Sequence, residues 1–278
     1  MSTSTSPTPA SASAAAPQRT SALRGILSLA RGELTLLLRN RTAIFNTMLI
    51  PLVLVAVLYF LGVPAEDGPG NMMVTTACIL AMAYIVYYNL VTTYVARREA
   101  YVLKRMRTGT VSDSGILIAT ALPSISLAVL QILVVVIGVL VIGAPPTLNN
   151  PLAVIVGIVL GFVVFAGLAA ASTPFTKTAE TAQVTTLPVV MVSMGLSGMF
   201  FPLSILPDTL ATIAHFTPGA AVVELLQIGL GGTDRYGDAI PDFITGLAAM
   251  TKPTLVLLAW AAITFALVRD KFAWEPRR

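Results

Sequence analysis

The chain has 278 residues, 56% of them hydrophobic and 11% charged, with a mean hydropathy of +0.84. Soluble domains carry roughly a quarter of their residues as charges, so these figures exclude one; at roughly 20 residues per spanning helix the apolar content accommodates about six spans. One cysteine excludes a disulfide framework, and one histidine argues against a zinc site built from this chain.

The first twenty residues, Met1 to Thr20, are mostly Ser, Thr, Ala and Pro without apolar periodicity, and read as a disordered cytoplasmic tail. They lack the basic start and apolar core of a secretory signal. Over 21–42 a helical period takes over: Leu23, Ile26, Leu27, Ala30, Leu34, Leu37 and Leu38 share one stripe, and Arg24, Arg31 and Arg39 another. This predicts an amphipathic helix in the membrane surface; the same residues also fit an inward extension of the first span. Six apolar runs follow, at about 43–62, 72–95, 115–142, 152–171, 182–201 and 253–268, with no Asp, Glu, Lys or Arg near their middles. Ionisable groups inside spans mark proton relays and ion-coupled sites, so their absence counts against ion coupling. Pro51, Pro123 and Pro188 fall within runs, where they are tolerated as kinks. The third run is long enough that its part before Pro123 reads as a helix turning into the membrane.

The basic residues orient the chain. With the N-terminus inside, the inner segments hold Arg19, Arg24, Arg31, Arg39 and Arg41; Arg97, Arg98, Lys104, Arg105 and Arg107; Lys177; and Arg269, Lys271, Arg277 and Arg278. Only Arg235 and Lys252 fall outside. Fifteen of the 17 cations on one side predict six spans with both termini cytoplasmic.

Three segments depart from a plain bundle. The loop 96–112 interleaves Tyr101, Val102, Leu103 and Met106 with five cations; it is too short and charged to span, and fits a short amphipathic helix docked on a cytoplasmic partner. A basic anchor with snorkelling side chains fits it too. The segment 202–231 is divided by Thr217-Pro218-Gly219 into two apolar pieces too short to cross. It reads as a re-entrant hairpin dipping into the outer leaflet, or as two helices flat on the outer surface. The loop 231–252 holds Asp234, Asp238 and Asp242 without the spacing of a calcium loop, and reads as solvated.

No GxxxxGK[ST], GxSxG, HExxH or CxxC occurs, so the chain is expected to be no enzyme on its own, with no metal and no catalytic residue. His215 stands alone. Glu224 is the acid set deepest in apolar sequence, and fits either an aqueous vestibule or an interfacial helix. Polar or aromatic candidates to line a pathway or bond between helices are Asn46, Thr47, Tyr84, Tyr88, Asn89, Thr186 and Ser193, beside Tyr87, Gln131 and Thr185.

The ensemble resembles the membrane subunits of ABC type-2 exporters, in particular the daunorubicin-resistance-like permeases, over nearly the whole chain after Thr20. Its most specific pieces are RREAYVLKRMRTGTVS at 97–112 and the run from SGMFFP at 197–202 through Leu206-Pro207 to Pro218-Gly219. The first is similar to the family's Arg-Glu-x-Gly-x-Leu-x-x-Leu-x-x-Thr-Pro-like segment, which forms the coupling helix; Ala100 and Val111 stand where that pattern often has Gln or Gly and Pro. The resemblance implies that Arg98, Glu99, Val102, Leu103, Lys104, Arg105, Met106 and Arg107 sit at a coupling helix against an ATPase subunit. Apolar members would supply contact and cations orientation. It implies that Phe200, Phe201 and the hairpin cap the outer end of a pathway, that ATP and Mg are held by the partner ATPase and no cofactor by this chain, and that two permeases pair, as a homodimer or with a similar chain. Membrane lipids, and no nucleic acid, are the other expected partners. The expected function is outward movement of an amphipathic drug, lipid or peptide, as in antibiotic resistance. The same sequence admits a non-transporting anchor or sensor and, with less support, an ion-driven transporter. The ratio of four Lys to thirteen Arg suggests a GC-rich bacterial genome, hence a bacterial plasma membrane.

Overall fold

The computed structural model describes residues 41–62, 68–108, 111–199, 203–234 and 237–275, together with 31, 32, 35 and 39. The tail 1–20, most of the amphipathic helix 21–42, and Phe200, Phe201 and Pro202 lie outside the described residues, as do the side chains of Asn46 and Thr47. Among the described residues the regular structure is all helical, apart from one isolated bridge between Thr233 and Ala239.

In chain order the helices are α1 (Arg41–Phe60), α2 (Pro69–Glu99), α3 (Val102–Arg107), α4 (Asp113–Val141), α5 (Pro151–Ser172), α6 (Ala182–Gly195), α7 (Asp208–His215), α8 (Pro218–Leu226), α9 (Phe243–Ala249) and α10 (Thr251–Lys271). Local chemistry sets several starts. Asn150 accepts from the Ala153 amide at the head of α5, and Thr217 from Ala220 at the head of α8, each followed by a proline at the first helical position. Ser112 accepts from Gly115 at the head of α4, where Asp113 favours the helix dipole. α4 then runs unbroken through Pro123, so the expected turn before that proline is replaced by one 29-residue helix.

Four helical stretches among the described residues are long and apolar enough to cross a bilayer: Pro69–Glu99, Asp113–Val141, Pro151–Phe175 and Phe243–Lys271. A fifth is added if α7 and α8, bent by 77°, count as one broken span. α1, at 20 residues, is about 30 Å long. The run expected at 182–201 holds only the 14-residue α6, which ends before Gly198, a residue in the left-handed conformation at φ 78°.

α2 forms the middle of the bundle, with 83% of its most apolar window buried, against 39% for α4 and α5 and 17% for the Phe243–Lys271 stretch. Its centre, Ala81–Tyr88, is wound as a π-helix. Wide turns of this kind are rare in helices and concentrate at functional sites. α5 packs on this segment, on α8 and on α10. Close approach depends on Gly161, where an added Cβ would stand 2.6 Å from the Met82 sulfur and 3.1 Å from Val222. Outward faces are apolar, as lipid requires: Leu133 and Ile137 on α4, Ile155 and Val159 on α5, Leu255 and Phe265 on α10.

Candidate functional site

Side-chain bonds fix the two ends of α2 against the same two ends of α5. At its start Asn71 donates to Thr147 Oγ1 (2.8 Å) and accepts from the Thr147 amide (2.9 Å). Thr147 and Asn149 both donate to the Leu230 carbonyl at 2.6 Å. At its other end Arg98 donates to the carbonyls of Thr173 (2.9 Å), Thr176 and Lys177 (3.1 Å), just past α5. The two helices therefore run parallel, and the Arg98 end gathers α3, Lys177 and the chain after α10.

At this end the backbone reverses at Tyr101, the one non-glycine residue with positive φ among those described (56°). A bulky residue there is strained, whereas glycine adopts the conformation freely. α3 follows as a helix of six residues.

Burial divides the eight residues read from sequence as one docking set. Leu103 is fully buried and Arg98 is 1% exposed, while Val102 and Met106 are half-buried. Glu99, Lys104, Arg105 and Arg107 are exposed. The docking contact expected from the apolar members thus meets a Leu103 turned into the chain's own core, beside α2 and α4. What remains outward is a polar, cationic face with Tyr101, 54% exposed, at its edge.

The C-terminal segment joins this face, which sequence reading did not anticipate. Phe272 is buried and meets the Tyr94 ring edge-on at 5.8 Å and the Trp274 ring at 4.7 Å. The Arg107 guanidinium lies 4.6 Å from the centre of the Trp274 ring and forms a two-point ion pair with Asp113 (2.9 and 3.0 Å). Lys104 reaches Glu275 at 3.0 Å. These exposed ion pairs contribute little stability singly, but they fix where the cations point.

The pathway residues are dispersed. Tyr84, Tyr88 and Asn89 are half-buried on α2, together with Thr92 and Thr93. On a helix so deeply enclosed, this partly open stripe is polar and aromatic where the outer helices show Leu, Ile and Val. Thr186 and Ser193 are buried on α6, with the Thr186 hydroxyl bonded to the Ala182 carbonyl at 2.6 Å. An added Cβ at Gly219 would collide with the Ser193 carbonyl, so α8 meets α6 backbone to backbone. Glu224 is 6% exposed on α8, every residue of which is buried among α2, α5, α6 and α10. α8 is thus enclosed by the rest of the chain on every side. Gln131 is fully buried on α4 with neither amide atom bonded.

Two cavities stand out among the described residues. One, of about 330 Å³, is lined by Arg41, Ile44, Phe45, Leu49 and Leu52 along α1. The other, of about 160 Å³, lies at the Asn71 end among Asn149, Asn150, Asp242 and Gly246. Neither is lined by a pathway residue whose side chain is described. No group of His, Cys, Asp and Glu among the described residues is arranged to hold a metal.

A helical domain with several bilayer-length apolar helices, charged at one end and apolar outside, is a multi-pass membrane protein. Residues 66–268 match the profile of the ABC-2 family transporter proteins, and the chain belongs to that family: it is an ABC transporter membrane permease. Membership implies pairing with an ABC ATPase subunit. No curated protein matches the chain.

Proposed function

We propose that the chain is the membrane-spanning half of an exporter that moves an amphipathic drug, lipid or peptide outward, driven by ATP hydrolysed on a separate subunit. The observation that carries this reading is α3: a short helix rooted by buried Leu103 in the bundle, with Lys104, Arg105 and Arg107 exposed at the end of the central helix. A rooted cationic knob suits an acidic groove on a partner, and rigid-body motion of that partner is delivered to whatever the knob is rooted in. The basic residues give the orientation, with α3 and both termini cytoplasmic. In that orientation α1, α2, α4, α5, α6 and α10 make six crossings, and α7 with α8 dips into the membrane from outside. Complete burial of α8 supports this, because a helix enclosed among α2, α5, α6 and α10 sits within the bundle and not on its rim. The Tyr84, Tyr88 and Thr92 stripe would face the pathway between two permease copies. The chain itself holds no ATP, magnesium or catalytic group in this reading, and its place is a bacterial plasma membrane.

Reconstitution with the P-loop ATPase that copurifies with it tests the reading. ATP hydrolysis should require both proteins and rise with an amphipathic substrate; transport that persists without ATP and collapses with the proton gradient would overturn it.

A further inference from the structure

Arg98 heads the fully buried side chains by volume among the described residues. It stands one residue before the end of α2 and three before the Tyr101 reversal into α3. Its guanidinium crosses to the chain after α5, donating to the carbonyls of Thr173, Thr176 and Lys177. These lie at the negative end of the α5 dipole, so a cation there caps α5 from another helix. Glu99 adds a second tie, accepting from the Ala179 amide at 3.3 Å. Thr176 in turn shares a hydroxyl bond with Thr185 on α6 at 2.8 Å. Two consecutive residues at the root of α3 thus hold the corner between α5 and α6.

We infer that Arg98 is a positioning residue that welds the root of α3 to the α5–α6 corner, so that displacement of α3 moves α5 and α6 together with α2. The chemistry favours arginine. A planar fork of five donors reaches three carbonyls in fixed directions, whereas a lysine ammonium is a point charge that satisfies fewer of them and does not set their relative geometry. Apolar packing along α2 and α5 permits sliding; a fork of directed bonds at the end of both does not. The inference rests on the proposal that an ATPase docks at α3, but the weld itself is a property of this chain.

The test has two arms. In the chain alone, spin labels at Lys104→Cys and Phe175→Cys, both exposed sites, report the distance from α3 to the corner. The distribution should be narrow in the parent and broad in Arg98→Ala. An equally narrow distribution in Arg98→Ala overturns the weld, whether or not any ATPase binds. In proteoliposomes with the copurifying ATPase, Arg98→Ala and Arg98→Lys should keep ATPase affinity and hydrolysis while substrate moved per ATP falls about tenfold or more, the loss that a single charge-assisted bond represents. Unchanged coupling in both variants, or a fall in affinity that accounts for the lost transport, overturns the inference. Should Arg98→Ala fail to accumulate, Glu99→Cys and Ala179→Cys bridged by a short bismaleimide in a Cys78→Ser background take its place. Bridged protein should still transport, since the two segments move as one, and hydrolysis without transport would show that they must separate. A parent chain that binds no ATPase defeats the proposed function and leaves the spin-label result to decide the weld.

Discussion

The two ends of α2 are fastened to the same neighbour by different chemistry. At the Asn71 end the ties are neutral: an amide, two hydroxyl contacts and the Leu230 carbonyl, closed among Asn71, Thr147 and Asn149. At the Arg98 end the fastening is a buried cation, and exposed cations surround it on α3. Neutral bonds of fixed direction hold a shape. A charged root beneath a charged surface holds a shape and, under the proposed docking of an ATPase at α3, also presents it to that partner, so on this proposal statics falls to one end and force transfer to the other.

The comparison breaks first at Asn71. Asn71→Ala removes the acceptor for the Thr147 amide and the donor to its hydroxyl, and should cost about 1–3 kcal/mol. Thermal unfolding in detergent would show it, with ATPase affinity unchanged; a loss of affinity as large as that from a change on α3 would erase the distinction between the ends.

A smaller effect is expected from the C-terminal segment. Phe272→Ala with Trp274→Ala removes an aromatic contact and the ring beneath Arg107, contributions of about 0.5–1.5 kcal/mol for the pair of rings and about 0.5–1 kcal/mol for the cation. ATPase binding should weaken severalfold, while Glu275→Gln alone, which breaks one exposed ion pair, should change little. Equal effects would show that the ion pair, and not the ring stack, sets the direction of the cations.

The smallest expected effect is at the Asn71 end, in the loop before α9. The Asp242 carboxyl is held below the usual carboxylate range by the backbone N–H of Thr245, which it caps. A depressed value means that the cap's contribution is present above the ordinary carboxylate pKa and is lost as pH falls through the lowered one. Hydrogen exchange at Thr245 should quicken on acidification, and Asp242→Asn should flatten that dependence; an unchanged acid dependence in the variant would remove Asp242 from the account.

Hydropathy made the long helices legible, because a bilayer demands continuous apolar length and little else. It did not show the π-helix at Ala81–Tyr88, since a change of winding leaves composition untouched. The end of α6 was not legible within the run at 182–201, because apolar residues continue past Gly195, where the backbone leaves the helix and turns at Gly198. Arg98 was read with the exposed cations of the α3 side, yet helical phase turns it inward: Leu90, Tyr94 and Arg98 follow one another at intervals of four, all buried. The same count applied to Arg98 in sequence would have turned it inward. For α8 the signal was Gly219-Ala220-Ala221, small residues that let a helix be enclosed on every side. The C-terminal clasp on α3 had no local signature, because Phe272, Trp274 and Glu275 gain meaning only from the long-range packing of α10 on α5 and α8, which brings the chain after it to Tyr94.

The most direct test of the whole account is ATPase affinity for a chain carrying Lys104→Glu and Arg105→Glu, measured beside Arg98→Lys in the same membrane preparation. Two exposed reversals should weaken binding about a hundredfold or more, as opposed charges at an interface are replaced by like ones, while Arg98→Lys binds like the parent and loses transport per ATP. Binding that survives both reversals would contradict the assignment of α3 as the point where another protein drives this one.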